Sequence, residues 1–156
     1  MDLNFLLRCF LSIAVVLALS HVARKSSRLR VGLSLLAVWA VTSGLLAFFP
    51  DDPVGTVTRG AARVHLALAG VAFVTVAIGA RVTTRSLRRD PRWRPVLVPL
   101  AVLSYGAFIP VLLLGRAHLR PHSLGGLFEK LFLGVELAWF LVAAAWIASM
   151  ERRAAA

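Results

Sequence analysis

The side chains able to do acid–base or ligand chemistry fall in two stretches of an otherwise apolar chain. The first holds Asp51, Asp52, Arg59, Arg63 and His65; the second holds Arg116, His118, His122, Glu129, Lys130 and Glu136. Mixed carboxylates and cations of this kind can hold a lipid head group or a small polar solute through charge-assisted hydrogen bonds. A different chemistry uses His65, His118 and His122 with Asp51 around a zinc ion. Catalytic zinc takes about three protein ligands and a water, so the inventory just suffices for an intramembrane metal-dependent hydrolase or lipid-modifying enzyme. The spacing of a strong zinc motif is absent, however, and there is no dinucleotide fingerprint, P-loop, haem-attachment motif or nucleophile elbow. No serine stands in a distinctive context.

Each of these residues also has a plainer reading. Asp51-Asp52-Pro53 suits a solvated turn that caps a helix. His65 reads more readily as a hydrogen-bonded structural histidine than as a ligand. His118 and His122 are spaced like two ligands on one helix, but Pro121 between them argues for a loop. Glu136 is the hardest to explain structurally, because burying a carboxylate without a partner is costly. Cys9 is the single cysteine, so no intrachain disulfide can form, and it reads as a small packing residue.

What must position these groups is a set of helices in lipid. Of 156 residues, 59% are hydrophobic and 16% charged, and the mean hydropathy is +0.81. The apolar residues come in runs of about 18 or more, the length that crosses a hydrocarbon core roughly 30 Å thick. Five runs are read, at about 3–22, 31–49, 61–82, 96–114 and 127–150, giving one all-α transmembrane domain. Arg8 interrupts the first near its start, where a long side chain can snorkel to the interface. Basic residues follow that run and no cleavage site is evident, so it reads as a retained helix rather than a signal peptide. Pro50 ends the second run. The third is rich in Ala, Gly and Val, which suits the most enclosed helix of the bundle. Pro99 and Pro110 make the fourth a kinked helix.

Orientation follows from the basic residues. Arg24, Lys25, Arg28 and Arg30, then Arg81, Arg85, Arg88, Arg89, Arg92 and Arg94, then Arg152 and Arg153 put twelve of the eighteen on one side. Cytoplasmic connections carry such an excess, so the N-terminus is expected outside and the C-terminus in the cytoplasm. The Arg-rich loop at 85–94 then serves as a topology signal and an anionic-lipid contact. Asp51, Asp52, Arg63, His65, Arg116, Glu129, Lys130 and Glu136 converge on the outer end. Glu129 and Glu136 lie two helical turns apart on one stripe, and Glu136, the deeper, is expected to pair with Arg63, Arg116 or His65.

Phe48-Phe49-Pro50-Asp51-Asp52-Pro53, with His65 opening the next span, resembles the signature of the bacterial and archaeal integral membrane proteins catalogued as domain of unknown function 998. Gly126-Leu127-Phe128-Glu129-Lys130, with Glu136 and Trp139 following, is similar to that family's last helix, and Asp90-Pro91-Arg92-Trp93-Arg94 to one of its loops. The resemblance spans most of the chain and highlights Pro50, Asp51, Pro53, His65, Lys130 and Trp139. It implies six spans, of which the first is lacking here, and it implies no activity.

The expected object is therefore a multi-pass protein of the plasma membrane without a cofactor, zinc being the alternative. Its function is expected to be non-enzymatic, the binding of lipid or solute or the docking of a partner in an outward-facing polar cluster. Membrane lipids are its expected partners, with a second copy or another membrane protein as a candidate and no role for nucleic acid, since the cations are not interleaved with aromatics on an exposed face. Five spans give no clear inverted repeat, which weighs against a transporter.

Overall fold

The computed structural model describes residues 2–50, 60–117 and 125–155, and among them every regular element is helical. Helix α1 (Asp2–Val22) leads into α2 (Ser27–Leu45), which tightens into a 3-10 turn at Leu46–Phe48. Then come α3 (Ala61–Leu87), a 3-10 segment at Pro91–Val96, α4 (Leu97–Gly106), α5 (Phe108–Ala117) and α6 (Gly125–Ala155). Five stretches are long and apolar enough to cross a membrane: Leu3–Val22, Ser27–Phe48, Ala61–Leu87, Pro91–Leu113 and Gly125–Ala155.

The local sequence explains the boundaries. Ser26 caps α2, its Oγ accepting from the Leu29 amide at 3.1 Å, so the helix begins four residues before the apolar run. Helices α3 and α6 likewise outrun their apolar cores, since backbone hydrogen bonding continues where side chains have turned polar. Phe49 is extended, as a residue before proline must be, and this ends the second span where Pro50 predicts. Gly60, at φ 46°, turns the chain into α3 in a conformation that glycine adopts without a Cβ penalty. The fourth span is broken outright at Ala107, between α4 and α5. Pro110 supplies the cause: it has no N–H for the Gly106 carbonyl and its ring crowds that carbonyl.

The closest packing is between α2 and α3. A Cβ at Gly32 would lie 2.9 Å from the Thr83 amide nitrogen, and one at Gly79 would lie 3.1 Å from the Leu35 Cβ. Small residues thus let the two backbones meet, the usual device for helices in lipid. The most enclosed helix is nevertheless α2 and not α3: half of its most apolar window is buried against a third for α3. The small residues of α3 are spread around it, and Gly70 faces open space. Cys9 packs α1 onto α2 against Gly44. Trp39 stacks on Phe140 with centroids 4.9 Å apart, and Trp139 meets Phe140 edge-on at 5.3 Å, joining α2 and α6 through the core.

The Arg-rich loop does more than mark topology and touch lipid. Asp90 caps the 3-10 segment, and Arg92 grips its carboxylate at 2.7 Å while donating to the Val22 carbonyl at 2.8 Å. Trp146 of α6 donates its Nε1–H to the Arg92 carbonyl at 3.1 Å, and Trp93 is fully buried. The loop therefore ties the end of α1 to α6. The proline after Asp90 and the two tryptophans make this possible, because they turn a charged linker into a packed corner.

Candidate functional site

A cleft of about 340 Å³ opens at the end of the bundle where α1, α3 and α6 begin and α2 finishes. Helix α1 contributes Asn4, Phe5 and Arg8, the first two each lying one turn before Arg8. Helix α2 supplies Trp39 and Ser43, α3 supplies His65 and Phe73, and α6 supplies Glu129, Lys130 and Leu133. The floor is aromatic and aliphatic, the rim polar, which is the usual make-up of a small-ligand site.

Arg8 is its centre of charge. It is only 9% exposed, so it does not snorkel out alone; it turns into the bundle with its guanidinium 4.8 Å above the Phe5 ring. Glu129, one helix away, lies within Coulombic reach. The Arg8 Nε is buried and has no hydrogen-bond partner among the described residues. With Lys130 on the same wall, two cations face one carboxylate.

His65 sits at the mouth with its Nδ1 2.6 Å from the Phe49 carbonyl oxygen. A carbonyl only accepts, so Nδ1 carries the hydrogen, and Nε2 is the ring position left for a second contact. The ring meets Phe5 edge-on, with centroids 6.5 Å apart. This bond closes the junction between the second and third spans and spends half of the imidazole on structure.

Of the residues singled out by their chemistry, the fold brings His65, Glu129 and Lys130 to the cleft. Arg63 is exposed and is not part of its lining. Glu136 is 0% exposed, one turn below Leu133 on α6, and neither carboxylate oxygen has a partner among the described residues. The pairing expected for it with His65 is not formed: His65 turns its Nδ1 to the Phe49 carbonyl, and neither Glu136 oxygen reaches it. Asp51, Asp52, Pro53, His118, His122 and the side chain of Arg116 lie outside the described residues. Among those described, no three His, Cys, Asp or Glu side chains group as metal ligands would.

Arg8, Asn4, Ser43 and the aromatic floor were not legible as site residues. The one available signal was the charge of Arg8 within an apolar run, which snorkelling explains equally well. A further polar contact lies deeper: Trp139 donates its Nε1–H to Thr84 Oγ1 at 2.9 Å, in the buried seam between α6 and α3.

An all-helical bundle with five membrane-length apolar helices and a polar cleft at one end defines a small polytopic integral membrane protein. Residues 1–146 match the family described as protein of unknown function (DUF998), and the chain belongs to that family. No curated protein and no solved structure matches it.

Proposed function

We propose that this chain is a non-enzymatic binding protein of the cell membrane, whose cleft receives the anionic group of a lipid head group or small solute. The observation that carries this reading is Arg8, a nearly buried guanidinium on the cleft wall whose Nε lacks a partner. A buried charge is costly unless it is paired. Glu129 offsets part of that charge, and Lys130 restores an excess of one positive charge that an anion would satisfy. Ser43, Asn4 and the Nε2 of His65 offer further hydrogen bonds, while Trp39, Phe73 and Leu133 suit an apolar portion of the ligand. The basic-residue count favours an outward-facing position for this end of the bundle.

Native mass spectrometry of the full chain released in mild detergent tests the reading. A defined anionic adduct is expected on the unaltered protein, lost in Arg8→Gln and kept in Arg8→Lys. A lipid adduct and a small-solute adduct differ in mass, so one spectrum separates the two sources. An adduct pattern unchanged by Arg8→Gln would remove the basis of the proposal.

A further inference from the structure

A second site lies at the opposite end, among the basic connections. Arg24, Lys25 and Ser26 of the α1–α2 linker face Ser86 and Arg89 at the end of α3 across a pocket of about 310 Å³. Three cations converge there, and no carboxylate lines the pocket. Asp90 accepts from the Arg24 backbone beside the pocket, but its carboxylate is held chiefly by Arg92. Cations gathered around one small volume repel each other, and a bound anion relieves that repulsion.

The pocket does not end at its charges. Lys25 and Ser26 also line a larger depression of about 610 Å³ that continues over Leu29 and Leu33. Ser27 and Arg30 carry it on into a shallow groove floored by Val31, Leu35 and Val38. From Ser27 to Val38 the groove follows α2 for roughly 16 Å at 1.5 Å per residue. Its surfaces run from the cations of the linker, past Ser26, Ser27 and Arg30, to the aliphatic side chains of Val31, Leu35 and Val38 on a membrane-spanning helix. Free phosphate would use only the first part. A molecule that uses all of it has an anionic head joined to an acyl chain.

We infer that this groove is a binding site for an anionic phospholipid, with the head-group phosphate among Arg24, Lys25 and Arg89 and one acyl chain along Val31, Leu35 and Val38. Basic pockets between membrane helices take anionic head groups by the same electrostatics. Arg92 ties Asp90 to the last turn of α1 and so joins the corner that shapes the pocket. This site is separate from the cleft, shares no lining residue with it and stands whether or not the cleft binds an anion.

The experiment is native mass spectrometry of the full chain in detergent, titrated with phosphatidylglycerol or phosphatidylcholine of identical acyl chains. The unaltered protein should retain phosphatidylglycerol more than about tenfold better, since each of the three cations contributes about fivefold. Lys25→Gln and Arg89→Gln should each cost about fivefold, the worth of one cation near an anionic surface. Arg28→Gln, an exposed charge outside the groove lining, should cost nothing, and Arg8→Gln should leave the preference intact. Water-soluble glycerol phosphate at matched concentration should not compete. Equal retention of the two lipids by the unaltered protein overturns the inference without recourse to any variant. Equal losses in Arg28→Gln and Lys25→Gln would reduce the site to diffuse surface charge, and displacement by glycerol phosphate would reduce it to a phosphate site without a lipid.

Discussion

Arg92 holds the Asp90 carboxylate at two points, its Nε donating to Oδ1 at 3.0 Å and its Nη2 to Oδ2 at 2.7 Å. The same Nη2 reaches the Val22 carbonyl, so a local ion pair becomes a tie between the first helix and the start of the fourth span. Asp90 is nearly buried but Arg92 is 59% exposed, and solvent screens the pair. Asp90→Asn is expected to lower stability by about 1 kcal/mol. The hydrogen bond from Arg92, chiefly, holds the Asp90 carboxyl below its ordinary value. A depressed carboxyl stabilises the fold fully above its unfolded value of about 3.9, and that contribution disappears as pH falls through the lower folded value. Thermal unfolding in detergent at pH 7 and at pH 3 checks this: the gap between parent and Asp90→Asn should narrow in acid.

Gly32 and Gly70 make a paired test of backbone approach. At Gly32 a Cβ would press on the Thr83 backbone, with 2.9 Å to its nitrogen and 3.2 Å to its Cα. Backbone cannot rotate aside as a side chain can, so Gly32→Ala must move α2 from α3, at a cost of about 1–3 kcal/mol. At Gly70 nothing lies within 4 Å. There the same substitution should be neutral or add about 0.5–1 kcal/mol, the ordinary helix preference of alanine over glycine. Denaturant titration of both variants separates close packing from propensity, and a stable Gly32→Ala protein would contradict the α2–α3 geometry.

The bundle was largely legible because hydrophobic run length is a strong signal, and proline is a strong stop: the breaks at Phe49 and Ala107 both follow from a proline. The enclosed helix was not legible, since the small residues of α3 say that it can pack closely but not which face meets a neighbour. The site was legible only in part. His65, Glu129 and Lys130 stand at helix starts and converge for that reason. Arg8 was missed because a cation near a span's end has two destinations, the interface or the interior, and only the positions of Phe5 and Glu129 in space decide between them. The Arg92 tie was missed because nothing in a basic loop announces that one arginine will find a carbonyl 70 residues away.

Trp139 is one of the positions that the family resemblance highlights, and it lies wholly in the packed core. Its indole N–H meets Thr84 Oγ1 at 2.9 Å in a fully buried seam. Trp139→Phe and Thr84→Val should each destabilise, and the double variant by less than the sum. The coupling energy of that cycle is expected near 1 kcal/mol, the net worth of one buried neutral hydrogen bond. Additive losses would mean that the pair does not interact in the folded protein.

Glu136 is fully buried one turn below the cleft floor, between the buried Phe132 and Phe140 on its own helix. Neither of its oxygens finds a partner among the described residues. A carboxylate kept there for packing alone would be inferior to an apolar side chain of the same length, since unpaired polar groups are costly to bury. Two substitutions distinguish shape from chemistry. Glu136→Gln keeps the volume and loses only the ionisable group, so its unfolding midpoint should stay close to the parent's. Glu136→Ala removes the volume as well and should cost about 2 kcal/mol or more through the cavity it leaves. If the carboxyl serves ligand binding in the cleft above it, Glu136→Gln should change adduct retention in native mass spectra while leaving stability alone. Equal loss of folded protein in both variants would instead make the carboxyl a structural element of α6.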